Sequence, residues 1–339
     1  MGRDGVHLWH IRRFGEIIIT VNAKTSLKRI MGETMKINLG YCCISVLNNK
    51  LKVNRASTKT YLENHDTSLC HAYLLEKARQ NLKDLKLLLY ENKKNCIFAY
   101  RLPEQVLPQL DLGYYTIDEL REELKGAGGV ANRLQMQLST HPSQYFVLNS
   151  KKEEVVDKTV QTLNLIADTF AAMELEKVPN MTLHVGMKKS YDTVEEALDV
   201  FCKNYMRLNT NAKRFLVLEN DHVSFTVDEC LKIHDKIGIP IVFDNKHYEW
   251  NPGPLSYEEC VARAVKTWGE RTPKLHLSSD KEGAKHAHTE YIELSDYRKM
   301  EEALKRTGIA ECNIMLECKE KDLAVLKLRK DIRDDGAII

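Results

Sequence analysis

Short apolar runs recur along the chain, and longer stretches between them place apolar residues every third or fourth position. The runs are Lys36–Tyr41, Cys96–Arg101, Leu134–His141, Met181–His184, Arg214–Glu219, Ile239–Asp244, Pro273–His276 and Cys312–Glu317. Their length and their β-branched and aromatic content predict strands. The stripes Leu74, Ala78, Leu82, Leu85, Leu89 and Val156, Val160, Leu163, Ala167, Phe170 have helical spacing and predict helices packed on a sheet. Ser or Thr followed three residues later by Glu recurs at Thr116, Ser150, Thr193, Thr226 and Ser256, and each pair predicts a helix start. Ser295 and Gly308 are expected to bracket a further helix. Strand alternates with helix, which predicts a parallel sheet covered by helices, and eight units predict an α/β chain closed into a single (β/α)8 TIM barrel.

A barrel of this kind needs about 250 residues. It is expected to occupy residues 35–330, with 331–339 as a C-terminal tail and no room for a second domain. Residues 1–34 are basic and weakly patterned and read as an extension outside the working domain; the alternative is a short hairpin closing the bottom of the barrel. The polar stretch from Tyr41 to Thr67 is long enough for a loop over the barrel mouth, with Asn48, Asn49, Lys50, Lys52 and Arg55 expected to be solvated.

In such a barrel the strands' carboxyl ends share one face, so His141, His184, Glu219, Asp244, His276 and Glu317 are expected to meet there. A single His or Glu at a strand end is more readily a satisfied polar residue than a ligand. Six at equivalent ends are different, because burying them together costs several kcal/mol each (~2–7) unless a cation or hydrogen bonds compensate. Asp244 and His247 are three apart and can both face the mouth. Lys274, His276 and Ser278 share one side of their strand by the period of two and point into the barrel. His288 follows in the next loop. Imidazole and carboxylate donors without thiolate suit Mn²⁺, Zn²⁺ or Fe²⁺ better than Ca²⁺, and there are more of them than one ion needs. Two or three divalent ions follow, a recurrent device for phosphodiester hydrolysis. Pro142 ends the third strand and presents Gln144 and Tyr145 above the rim, where the residues alone leave open a wedge into stacked bases or a loop packed on itself.

Composition narrows the function. Lys and Arg number 50 against 48 Asp and Glu, so the net charge of +2 excludes nucleic-acid binding by bulk attraction and requires a local patch. Nine cysteines without a CxxC pair read as reduced thiols in a cytoplasmic protein. Ile17–Ile19 with Val21 is far too short for a membrane span or a signal core.

Taken in order, the motifs Leu39-Gly-Tyr41, His141-Pro-x-Gln-Tyr145, Leu183-His-x-Gly186, Leu218-Glu-Asn-Asp221, Asp244-x-x-His247, Pro273-Lys-x-His-Leu-Ser278, His288 and Glu317-x-Lys319 resemble the ultraviolet-damage endonuclease family. That family is related to endonuclease IV and the xylose-isomerase-like barrels. The resemblance implies that Glu219 bridges two ions, with Asp244, His276 and Glu317 completing one site, His141 and His184 the other, and His247 and His288 holding a third. It implies Mn²⁺ first, with Mg²⁺, Zn²⁺ or Co²⁺ as alternatives. Gln144 and Tyr145 resemble a lesion-probing pair, Tyr41 a residue of the active-site floor and Lys274 a residue beside the metals, so Glu219, Lys274 and Tyr41 are the expected catalytic residues. Lys188, Lys189 and Lys319 are expected DNA contacts. The implied reaction is incision immediately 5′ to an ultraviolet photoproduct in double-stranded DNA, leaving a 3′-hydroxyl, by a monomer needing no membrane and no obligate protein partner.

Two departures from the family pattern stand out. Pro103 to Leu112 lacks the histidine many members carry after the second strand, and Cys42-Cys43-Ile44-Ser45 replaces polar residues after Tyr41. The competing readings are a sugar isomerase or epimerase on the same barrel and a metal-stabilised damage sensor that does not cut.

Overall fold

The computed structural model describes residues 35–336 apart from 282 and 283, and for 281–287 the backbone only. The chain divides between Thr34 and Met35, so the expectation for residues 1–34 lies outside the described residues.

Ten strands are present among the described residues: β1 (Lys36–Cys42), β2 (Ala99–Leu102), β3 (Gln137–Thr140), β4 (Asn180–His184), β5 (Leu216–Glu219), β6 (Ile241–Asp244), β7 (Lys274–Leu277), β8 (Asp280–Lys281), β9 (Ala284–His288) and β10 (Glu311–Leu316). Eight close a parallel barrel in the order β1-β10-β7-β6-β5-β4-β3-β2, as the alternation predicts. The other two, β8 and β9, form an antiparallel hairpin after β7, where a plain loop was expected.

Helices cover the outside. The longest, Thr67–Lys94, starts at Asp66, whose carboxylate accepts from Leu69 N (2.9 Å), and ends beside Lys93 and Lys94, which suit the negative end of the helix. Its stripe Leu74, Ala78, Leu82, Leu85, Leu89 is buried. Full capping boxes form at Thr226 and Ser256, and Thr193 caps Val194–Tyr205. Ser150 does not cap, because Glu153–Ala172 begins after Lys152, and Thr116 leads only into the turn Asp118–Leu120. Ser295 lies inside Leu294–Thr307, while Gly308 ends that helix at φ 72°.

Four strands, β2, β3, β5 and β6, are shorter than their apolar runs. Leu134 belongs to the end of helix Arg121–Arg133, and Gln135 takes φ 56°, so pairing starts only at Gln137. Residues Thr210–Phe215 form a helix capped by Asn209 that runs straight into β5. The final helix, Lys321–Gly336, passes the expected boundary at 330, so 331–336 continues the barrel's outer layer. No helix among the described residues is long and apolar enough to cross a membrane.

The barrel interior is polar toward its lower end. Asn38 Nδ2 donates to Asn313 Oδ1 (3.1 Å), and Lys274 Nζ donates to Thr182 Oγ1 (3.0 Å). β7 and β4 are separated by two strands, so the second bond crosses the interior. Tyr41 faces the other way. Its hydroxyl donates to Asn92 Oδ1 (2.8 Å) on the long helix, and its ring lies 5.1 Å from that of Tyr100. It belongs to the layer between barrel and helix, a correction to its expected place on the active-site floor.

The loop after β1 is pinned to the first turn of the last helix and to the long helix. The Asp322 carboxylate accepts from Val46 N (2.8 Å) and Leu47 N (3.2 Å), and Arg55 pairs with Asp84 (2.8 Å), so Arg55 is not simply solvated.

Candidate metal centre

The six strand-end residues converge as expected, around Glu219. This carboxylate is fully buried at the end of β5. His141 Nε2 lies 2.9 Å from Oε2 and His184 Nε2 3.5 Å from the same oxygen. On the other oxygen, His276 Nδ1 lies 2.5 Å from Oε1 and His247 Nδ1 3.8 Å. Glu317 joins through His276, whose Nδ1 is 3.2 Å from Glu317 Oε1. Among the described residues, three sets of donor atoms are close enough to hold an ion, and all include Glu219: with His141 and His184, with Asp244 and His247, and with His276 and Glu317.

This grouping differs from the expected one in two places. Asp244 goes with His247 because its Oδ1 accepts from His247 N (2.8 Å), capping the short helix Asn245–Trp250 and setting both side chains on one face. His288, on the hairpin, stands apart, with Nε2 4.0 Å from Glu317 Oε2 and outside all three groups.

The electrostatics follow from burial and crowding. Burial alone would raise the pKa of Glu219, but His276, His184 and His141 hold it well below the usual carboxylate range. Burial lowers His184 and His276 to about 4, keeping the imidazoles neutral as ligands must be. Asp244 is pushed up to about 7 by burial, with His247 opposing and the carboxylates of Glu219 and Glu317 adding. Burial works against the charged form of His247 also, but Asp244, Glu219 and Glu317 raise it to about 9. Three carboxylates this close repel one another, and a cation relieves that strain. Two of the cluster's imidazole nitrogens, His184 Nδ1 and His276 Nε2, are buried without a hydrogen-bond partner. The donor set of imidazoles and carboxylates fits a divalent transition metal ion.

Sequence reasoning missed one residue here. Arg101, at the end of β2, donates from Nη1 to Glu317 Oε1, and both side chains are largely buried. Burial raises Glu317, yet Arg101 and His276 together bring its pKa below the ordinary range. A strand-end arginine at one of the two barrel units without a candidate ligand was the available signal. Lys274 lies one inward position below His276, is buried, and is drawn down to about 8 by burial and by Arg101. It points to Thr182 and does not line the mouth.

Above the cluster is a cleft of about 690 Å³ lined by Cys43, Arg101, the His141–Tyr145 loop, Val147, His184, Gly186, Met187, Asp221–Ser224, His247 and Glu317. Gln144 and Tyr145 stand at its rim, with Tyr145 78% exposed. Among the expected DNA contacts, Lys188 is tied to Glu229 (2.6 Å) and Lys319 reaches Glu290 (3.2 Å), whereas Lys189 is exposed.

Comparison with known proteins agrees with this arrangement. The sequence profile described as UV-endonuclease UvdE matches residues 37–338. The chain belongs to the UV-endonuclease UvdE family. Its similarity to the UV DNA damage endonuclease of Halalkalibacterium halodurans is 30% identity over 309 residues, 88% of this chain and 95% of that protein. The UV DNA damage endonuclease of Clostridium perfringens is 27% identical over 88% of this chain and 71% of its own length. The crystal structure of SacUVDE superimposes with a TM-score of 0.77 at 28% identity, covering 88% of this chain and 99% of that one. A D-tagatose 3-epimerase-like protein shares 17% identity and a TM-score of 0.51 over 71% of this chain and 89% of its own, which shows the fold alone. This UvdE-family chain is therefore a UV-damage repair endonuclease, a hydrolase whose substrate is DNA.

Proposed function

We propose that this nuclease is metal-dependent and cuts the phosphodiester bond immediately 5′ to ultraviolet photoproducts in duplex DNA, leaving a 3′-hydroxyl. The observation that supports this most directly is the sharing of Glu219 by three donor groups at the floor of an open cleft. Two or three divalent ions, Mn²⁺ first and Mg²⁺, Zn²⁺ or Co²⁺ as alternatives, are held by His141, His184, Glu219, Asp244, His247, His276 and Glu317, with His288 able to join from the hairpin. Bound there, such ions polarise a phosphoryl oxygen, furnish hydroxide near neutral pH and stabilise the leaving oxygen.

The chain's own residues hold the substrate and balance charge. Arg101 beside the cluster and Lys274 beneath it offset its carboxylates; Lys274 acts through that field, since its ammonium is bonded to Thr182. Gln144 and Tyr145 meet the bases at the damaged step, and Lys189 meets the phosphate backbone. Tyr41 is left without a catalytic role.

The test is an end-labelled duplex carrying one photoproduct, incubated with purified protein and Mn²⁺. Cleavage directly 5′ of the lesion, with a product that a polymerase extends, is the expected outcome, while undamaged duplex and ketose sugars remain unchanged. Absence of nicking with all four cations, or cleavage at another position, overturns the reading.

A further inference from the structure

Three large apolar side chains stand exposed around the cleft, one on each loop that follows β3, β4 and β5: Tyr145, Met187 at 56% and Val223 at 60%. Isolated exposed apolar residues need no explanation, but several around one polar cleft mark a contact surface. Others in this protein, such as Leu69, Leu87 and Tyr90, sit on the long outer helix and line none of its described cavities.

The backbone presenting Met187 and Val223 is held by buried polar side chains. Asn149, fully buried, accepts from Met187 N at Oδ1 (3.0 Å) and donates from Nδ2 to Met187 O (3.1 Å). The clamp closes only because residue 186 is glycine. Its φ is +118°, and a Cβ there would lie 2.3 Å from Asn149 Oδ1 and 2.2 Å from Val147 Cγ1. On the next loop the Asp221 carboxylate accepts from Val223 N (2.8 Å), Phe225 N (2.9 Å) and Ser224 N, while Asn251 Nδ2 donates to Asp221 O (3.1 Å). A free loop can fold an apolar tip inward to escape water. These two are prevented from doing so, and both open on the same cleft as Tyr145.

We propose that Met187 and Val223 form, with Tyr145, an apolar ledge that packs against the faces of nucleobases unstacked at the lesion, and so help determine specificity for damaged DNA. The inference rests on the endonuclease reading. Neither side chain can hydrogen-bond a phosphate, so the phosphates are not their partner. Base faces are the broadest apolar surface of DNA, and unlike the sugars they are hidden in the stack of an intact duplex. A damaged step costs less to open, and apolar wedges including Met are used where proteins unstack base steps. A rigid ledge loses little entropy when the faces arrive.

The experiment compares wild type, the double variant Met187→Ala with Val223→Ala, and the conservative pair Met187→Leu with Val223→Ile. Binding is measured on duplexes with and without a single photoproduct, and 2-aminopurine opposite the lesion reports unstacking. Removing the two contacts is expected to weaken binding to damaged duplex roughly tenfold, for partial burial of two such side chains. Binding to undamaged duplex, melting temperature and metal content stay as in wild type, 2-aminopurine fluorescence falls, and the Leu/Ile pair restores both affinity and fluorescence. Equal losses on damaged and undamaged DNA, or no loss on either, overturn the ledge while wild-type nicking stands. Wild type that neither prefers nor nicks damaged duplex overturns the endonuclease reading and this inference with it.

Discussion

Arg101 and Glu317 form an ion pair at the bottom of the cleft, on the carboxylate oxygen that His276 Nδ1 also approaches at 3.2 Å. The guanidinium Nε beside it is buried without a partner. The pair joins the ends of β2 and β10, and it keeps one oxygen of Glu317 occupied whatever the other one holds.

Breaking this pair strands a buried carboxylate, which costs about 3–5 kcal/mol. Arg101→Met is therefore expected to lower the unfolding free energy obtained from urea denaturation by that margin without added metal. A divalent cation should recover much of the loss, because it supplies the missing positive charge. Measuring both curves checks this: an equal deficit with and without Mn²⁺ would show that Arg101 matters only for packing.

Glu219→Gln keeps the size of the side chain and removes its charge from all three donor groups at once. Incision should be abolished and metal stoichiometry should fall, while circular dichroism stays that of wild type. Nicking at the wild-type rate would remove the support for a shared carboxylate.

Gln144 and Tyr145 lie at the rim and outside the donor groups. Stacking of a base on an aromatic side chain is worth about 1–3 kcal/mol. Gln144→Ala with Tyr145→Ala should weaken binding to damaged duplex by roughly tenfold or more and leave metal content unchanged. Loss of metal would instead mean that the pair supports His141.

The two adjacent lysines should behave differently in salt. Each phosphate contact on duplex DNA contributes about −0.9 to the slope of log K against log salt. Lys189→Ala should remove about one such contact. Lys188→Ala should leave the slope nearly unchanged, since that ammonium already faces Glu229. Titrations at several salt concentrations decide it, and equal slope changes for both would show that Lys188 leaves Glu229 when DNA binds.

The barrel and the donor residues that converge on its face were legible because both are local. A run's length and its last residue are written in consecutive positions, so His141, His184, Glu219, Asp244, His276 and Glu317 could be picked out without knowing which strands are neighbours. Which donors lie close together is not local: Asp244 sits beside His247 through a helix cap, and the hairpin that carries His288 has no strong pattern of its own. The pairing of Arg101 with Glu317 spans 216 positions, so the arginine at its strand end was visible in the sequence but its partner was not. Tyr41 was misplaced although its alternation was readable: it is level with Leu316, one residue before inward-facing Glu317 and so on the opposite face.

The bond from Lys274 to Thr182 has a consequence for folding. Aliphatic interiors tolerate neighbouring alignments of their strands, since one leucine replaces another at small cost. Sliding β7 by one position would instead turn Lys274 out among the helix-facing leucines and bring Leu275 inward beneath the carboxylates. The ammonium thus acts as a key that admits a single alignment of β7 against β10 and β6. His276 inherits its place from that choice, so the accuracy of the catalytic face is set one level deeper, by a residue that does not line the cleft.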